Sequence, residues 1–254
     1  MPSFRDDAIV LRTHLLGEAD RIVTLLTRNH GKVRAVAKGV RKTTSRIGSR
    51  LEPFMFADVQ WAEGKSLHII QQVETLGAFG GPISEDYARF AAASSMAETC
   101  DRLTEHDQST GQFSLLLAAL KSLSLKEHDP SLTLDSYLLR SLALAGWAVQ
   151  LTHCAQTGEE GPHSAFVVAL GGVVSDAVAP PGSPKIDGDV LALLIALARG
   201  DWAVAERASQ KARKQASALI TAFTQYHVER SVKALAAMDR ERHTSANKSA
   251  GMAS

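Results

Sequence analysis

Gly31-Lys32-Val33-Arg34-Ala35-Val36-Ala37-Lys38-Gly39 reads as a short strand bounded by glycines. Side chains alternate between faces along a strand, so Lys32, Arg34 and Lys38 project to one side and Val33, Ala35 and Ala37 to the other. Working outward, Ala8 to Leu15, Asp20 to Thr27, Phe54 to Trp61 and Leu67 to Val73 are four further strand candidates, rich in Val, Ile, Leu, Thr and Phe. Gly17-Glu18, Asn29-His30-Gly31 and Glu63-Gly64-Lys65 separate them. Five short antiparallel strands in so compact a segment predict a small closed barrel, of the oligonucleotide-binding type or its SH3-like rival, which pattern does not separate.

The same stretch lies in a basic run. Between Arg28 and Arg50 stand Lys32, Arg34, Lys38, Arg41, Lys42 and Arg46 without a single Asp or Glu, while the whole chain has a formal net charge of only +1. A local cationic excess of this kind attracts a polyanion such as DNA, because each neutralised phosphate releases condensed counterions. The plain alternative is a solvated basic strand and loop. From Arg41 to Arg50 the glycines and hydroxyl residues, without apolar periodicity, predict a mobile loop. A basic strand face continued by such a loop follows a phosphate backbone without reading bases. Lys32, Arg34, Lys38, Arg41, Lys42, Arg46 and Arg50 are therefore the expected DNA-binding residues.

Gly80-Gly81-Pro82 marks the end of the β-rich block, giving a barrel domain over residues 1–80 and a helical domain over 81–238. Ser84-Glu85-Asp86 has the acidic character of a helix start, and Tyr87, Phe90, Ala91, Ser94, Ala97 and Leu103 follow with helical spacing. Leu115 to Leu125 is a second helix. Asp129-Pro130-Ser131 breaks it, and Leu132 to Val149 forms a third with Leu134, Leu138, Leu142 and Ala145 on one stripe. Glycine and proline then mark an irregular insert at 153–187, after which Val190 to Ala198 and Ala203 to Ala237 return to helix. The polar tail, 239–254, is expected to be disordered.

Catalytic signatures fail. Gly64-Lys65-Ser66 resembles the end of a phosphate-binding loop, but Val59 stands where the required upstream glycine belongs. There is no G-x-S-x-G elbow and no H-E-x-x-H helix, and the acid pairs Asp6-Asp7 and Glu159-Glu160 read as surface charge. Phe54, Phe56 and Trp61 could stack on bases, but the two phenylalanines share one strand face and the tryptophan takes the other, so a core role is expected. Two cysteines in 254 residues are too few for a disulfide scaffold. The absence of a long uncharged apolar stretch argues against a membrane span, and Asp6-Asp7 falls where a signal peptide would be apolar. A cytoplasmic protein without cofactor is expected.

Arg5-Asp6-Asp7-Ala8-Ile9-Val10-Leu11-Arg12 and Gly17-Glu18-Ala19-Asp20-Arg21-Ile22-Val23-Thr24-Leu25-Leu26-Thr27 resemble the N-terminus of the RecO family of DNA repair proteins. The likeness continues through His30 to Gly39 and Ser45 to Phe54, and reappears at Gly171-Gly172-Val173-Val174 and Tyr226-His227-Val228-Glu229-Arg230. This resemblance implies an α+β architecture, in which a five-stranded oligonucleotide-binding barrel precedes an α-helical domain whose irregular insert is a degenerate zinc module. It further implies a non-enzymatic protein that binds single- and double-stranded DNA and anneals complementary strands. In the RecF pathway such a protein works with RecR to help RecA replace single-strand binding protein, and associates with the nucleoid during repair. The acidic C-terminal tail of that binding protein would dock on the helical domain, with Arg140 as a partner-binding residue, and contact with RecA is indirect.

One departure stands out. Many relatives hold zinc with four cysteines about the insert, whereas here Cys154 is followed by Thr157, Ser175 and Val178 at the other three positions. Those side chains supply no thiolates, so a four-cysteine site is excluded. His153, Cys154 and His163 would be the only salvage ligands. Two rival functions remain: an adaptor whose barrel has no DNA affinity, and a nuclease, against which the lack of an acidic metal cluster argues.

Overall fold

The computed structural model describes residues 2–42, 45, 47–104 and 110–229. The first five strands are β1 (Ser3–Leu16), β2 (Asp20–Thr27), β3 (Lys32–Ala37), β4 (Met55–Ala62) and β5 (His68–Ala78). They close into a barrel in the order β1-β2-β3-β5-β4, with β4 returning to β1. This is the oligonucleotide-binding barrel. One closure differs from the all-antiparallel expectation: β3 and β5 run parallel, pairing Ala35 with His68 and Val36 with Ile69. The long connection between β3 and β4 makes that possible, because a parallel return needs a crossover and not a hairpin.

Period two decides which residues fill the barrel. Ala8, Val10, Val23, Leu25, Val33, Ala35, Ala37, Val59 and Trp61 form its interior, and Leu51 plugs it from a 3-10 turn at Ser49–Leu51. The opposite face of the same strands meets the helices: Ile9, Leu11, Leu26 and Phe54 share one continuous core with the helical residues. Phe54, at φ 68°, turns the chain into β4 and sets its ring edge-on to Phe90, while Phe56 packs against Phe79 and Phe113. All three aromatics singled out from the sequence are thus packing residues. Asp6, buried in the barrel wall, accepts from His30 and from the backbone and side chain of Asn29. Burial raises its pKa, but these hydrogen bonds prevail and hold the carboxyl below its ordinary value.

The helices are α1 (Gly80–Ser84), α2 (Tyr87–Leu103), α3 (Thr110–Leu125), α4 (Pro130–Leu144), α5 (Gly188–Arg199), α6 (Trp202–Ala205) and α7 at 210–229. Gly80-Gly81-Pro82 follows the end of the β-rich block at Ala78 and forms the first turn of α1. Asp86, Asp129, Asp187 and Asp201 accept backbone amides at the starts of α2, α4, α5 and α6, satisfying donors that a first turn leaves free. Helix α4 ends at Leu144 and not at Val149, where Ala145 and Gly146 close it. It is not one-striped either: Leu132, Thr133, Asp135, Ser136, Tyr137, Leu138, Leu139, Ser141 and Leu142 are all buried, which makes it the central helix of the bundle. Some of its polar members are partnered: Ser141 exchanges hydrogen bonds with Gln112, and Ser136 donates to the Leu197 carbonyl. The tail at 239–254 lies outside the described residues.

The irregular insert contains a hairpin, β6 (Ala165–Val167) and β7 (Gly172–Val174). Its alternation serves two cores at once. Phe166 and Val173 join the helical core, while Ala165 and Val174 face Cys154. Gly172 lies so close to the chain at Gln150 that a Cβ there would sit 2.0 Å from the Gln150 carbonyl oxygen. That approach accounts for the second glycine of Gly171-Gly172.

Candidate nucleic-acid interface

The outer face of β1, β2 and β3 is a three-strand surface, and register sets its rows. Arg12 pairs with Thr24 and Thr24 with Arg34; His14 pairs with Ile22 and Ile22 with Val36; Leu16 pairs with Asp20. Arg21 opposite Ala37 places Asp20 beside Lys38 in the last row. Cations and apolar side chains are thus interleaved on a face that barrels of this type use for nucleic acid. Arg34 and Lys38 are exposed, and Lys42 follows in the turn that leaves β3. Among the described residues, no carboxylate lies within ion-pair distance of Arg34, Lys38 or Lys42.

The other expected DNA contacts divide. Lys32 points outward as its period demands, but its Nζ donates to the Asp101 backbone carbonyl at 2.8 Å and to Asp101 Oδ1 at 2.9 Å. It fastens the barrel to α2 and is a structural cation. Arg50 also departs from expectation. It belongs to the 3-10 turn and donates Nη1 to the Val73 carbonyl on β5 at 2.7 Å. Arg41 is exposed and donates Nη1 to the Gly17 carbonyl at 3.0 Å. Arg46 lies outside the described residues. The stretch expected as a mobile loop is anchored at both ends, by buried Val40 and Leu51 and by backbone bonds from Lys42 to Gly39 and from Ser45 to Lys42.

Sequence reasoning missed Arg12 and His14 on the same face. The signal was available in β1, but a bulge between Val10 and Arg12 shifts the alternation there, and only the register reveals which side each residue takes. Arg12 is held by Asp101 Oδ2 at 3.0 Å, so that one carboxylate compensates two cations of the face.

In the helical domain, α3, α4 and the chain after α4 enclose an apolar groove of about 540 Å³, lined by Leu115, Ala118, Leu139, Leu144 and Val149. Arg140 stands in its wall, exposed and, among the described residues, without an ion-pair partner.

The insert folds around Cys154. Cys154 Sγ accepts the Thr157 and Ser175 amides, each at 3.4 Å, and Val178 packs on the same small cluster. Thr157, Ser175 and Val178 thus gather around Cys154. Burial pushes its thiol up, but the Thr157 side chain and the amides of Ser175, Thr157 and Gln156 pull it down to about 6. The salvage ligands do not assemble: His153 bonds Thr152, His163 bonds the Glu159 carbonyl, and among the described residues no three His, Cys, Asp or Glu side chains converge. No described helix is long and apolar enough to cross a membrane.

Comparison with known proteins agrees over both halves. The profile of Recombination protein O N terminal matches residues 1–79, and that of Recombination protein O C terminal matches residues 84–236. A DNA repair protein RecO from Nocardioides sp. strain JS614 is 51% identical over 242 residues, covering 93% of this chain and 99% of the relative. The DNA repair protein RecO of Thermobifida fusca is 49% identical, covering 94% of this chain and 100% of its own. That of Cutibacterium acnes is 42% identical, with the same coverage of 94% and 100%.

Proposed function

Because the chain belongs to the RecO family of DNA repair proteins, we propose that it is a non-enzymatic recombination mediator that binds single- and double-stranded DNA on its barrel face and anneals complementary strands. The observation that carries this reading is the set of cations without carboxylate partners, Arg34, Lys38 and Lys42, on an open three-strand surface. Such a surface holds phosphates by releasing counterions and reads no bases. It screens two strands at once, so pairing proceeds without nucleotide hydrolysis.

The helical groove supports a second element of the same role. The tail of single-strand binding protein is acidic and ends in an aromatic residue, which suits an apolar groove with Arg140 in its wall. With the tail held there and RecR as partner, the protein would help RecA take over the covered strand, and DNA binding would place it on the nucleoid. The adaptor alternative, in which the barrel lacks DNA affinity, rests on the same groove.

A titration of single-stranded DNA binding against salt tests the first element. The expected log–log slope is about −0.7 for each phosphate contacted, and a slope near zero rejects the reading. Calorimetry with a tail peptide tests the second, with heat expected from the wild type and a severalfold weaker affinity from Arg140→Ala. No heat and no competition from the peptide rejects the groove as its site.

A further inference from the structure

Helix α2 packs on the barrel beside β1, and the two leave a groove of about 380 Å³. Helical spacing brings Phe90, Ser94 and Ala97 to one wall of it, while Leu11 and Arg12 of β1 line the other. Phe90 is 44% exposed, and its ring meets that of buried Phe54 at 74°, with 5.8 Å between centroids. That contact braces an aromatic side chain which the fold nonetheless leaves open to solvent. Tyr87, three residues earlier and so on the same side of α2, is 87% exposed. A lone surface aromatic is ordinary, but two of them one turn apart beside a groove are informative.

Position and charge select the occupant. Arg12 belongs to both the groove and the cationic face, since the β1–β2–β3 register sets it in one row with Thr24 and Arg34. A strand lying along that row therefore passes the mouth of the groove. Glu98 and Asp101 also line it, and both are paired: Glu98 with Arg102 at 2.6 Å, and Asp101 with Lys32 and Arg12 at 2.9 and 3.0 Å. Carboxylates in the lining disfavour a phosphate there, while their compensation leaves room for an uncharged ring. What enters beside Phe90 is thus a base, with its phosphates left outside on the cations. Stacking on an aromatic ring tolerates any sequence, because every base has a π-face.

We propose that a base of single-stranded DNA held on the cationic face turns into the groove between β1 and α2 and stacks on Phe90. The inference rests on the barrel face being the DNA surface. A paired base is not free to turn out of a duplex, so the groove adds affinity for single strands alone. The cationic face holds either form of DNA, and Phe90 tells them apart.

The test uses the full chain with single- and double-stranded oligonucleotides of one sequence, titrated at several salt concentrations. Phe90→Leu keeps an apolar side chain against Phe54 while removing the ring, and thermal unfolding checks that it folds. It should bind single strands roughly tenfold more weakly, bind duplex as the wild type does, and keep the salt slope, since phenylalanine releases no counterions. Phe90→Tyr retains the stacking surface and should bind both forms as the wild type does. Irradiation of a bound single strand carrying 5-iodouracil should cross-link to the α2 peptide that contains Phe90, and less so in Phe90→Leu. If Phe90→Leu binds single strands with wild-type affinity, the base site is overturned and the groove is left to a protein partner, while the cationic face stands. An equal loss for duplex would also overturn it, because the groove would then act on the backbone. If Lys38→Ala with Lys42→Ala keeps wild-type affinity and slope, the DNA face itself has failed and the base site falls with it.

Discussion

Lys32 and Arg34 lie two residues apart on the same outward face of β3, yet they serve different ends. Lys32 reaches across to Asp101 on α2, where it is largely covered, while Arg34 stays in solvent without a carboxylate. The division runs through the whole barrel. Arg5 pairs with Asp58, Arg21 with Glu52, Arg28 with Asp7, and Arg12 shares Asp101, whereas Lys38 on the outward face and Lys42 in the turn after β3 remain uncompensated. Cations that face a neighbouring element become structural pins. Those on the open rows keep a field available to a polyanion. Local charge in a sequence is thus a count of cations, and only the neighbours decide how much of it is free.

Removing the uncompensated group gives the largest expected effect. Arg34→Ala, Lys38→Ala and Lys42→Ala together should lower single-strand affinity about 100-fold near 0.1 M salt and flatten the salt slope by about 2, if each residue meets one phosphate. Thermal stability should change little, because exposed unpaired cations contribute little to the fold. Wild-type binding by this triple variant in an anisotropy titration would break the comparison.

Erasing the distinction from the other side comes next. Asp101→Asn removes the one charge that holds both Lys32 and Arg12. Stability should fall by about 1–3 kcal/mol, since a largely covered lysine loses its counter-charge. Affinity for DNA should rise and the slope steepen by up to about 1.4, because two cations return to the face. Unfolding and binding measured on the same preparation check the opposed signs.

Asp135 on α4 is the acidic counterpart, uncompensated because it is buried and not because it is exposed. Burial raises its pKa to about 7, the charge of Asp129 adds to this, and a hydrogen bond from Ser217 on α7 opposes it. The folded state therefore keeps a proton that the unfolded chain releases near pH 4. Stability from this group is complete below that point, declines as pH rises to about 7, and stays reduced above. Asp135→Asn should raise the melting temperature by a few degrees at pH 8 and by less at pH 5, as differential scanning would read. An equal shift at both values would reject the assignment.

The smallest expected effect is none. The Cys154 sulfur is compensated by amides and not by metal, so a chelator should leave both melting temperature and DNA affinity unchanged, and elemental analysis should find no stoichiometric zinc. About one zinc per chain would overturn this.

Most strand boundaries were legible because a barrel buries one face of each strand, and burial writes a period of two into the sequence. The hairpin turns and the helix start at Asp86 were legible for the same local reason: a tight turn or a first helical turn restricts which side chains serve. Helix α4 was misread in both length and facing, since a helix surrounded on all sides loses the stripe that periodicity detects. Motifs of the N-terminal block, with two looser ones farther along, carried the likeness to the family, and the cationic excess alone pointed to a polyanion. What the sequence by itself determined, then, was which residues are buried or outward within most of the barrel strands, and that the insert holds a single thiol. The parallel closure of β3 on β5, the capture of Lys32 and Arg12 by a carboxylate 69 residues beyond Lys32, and the bracing of the β1–β2 turn by Arg41 were decided only in three dimensions. Each joins residues distant in sequence, and no local propensity or spacing encodes the position of a partner that the chain brings back from far away.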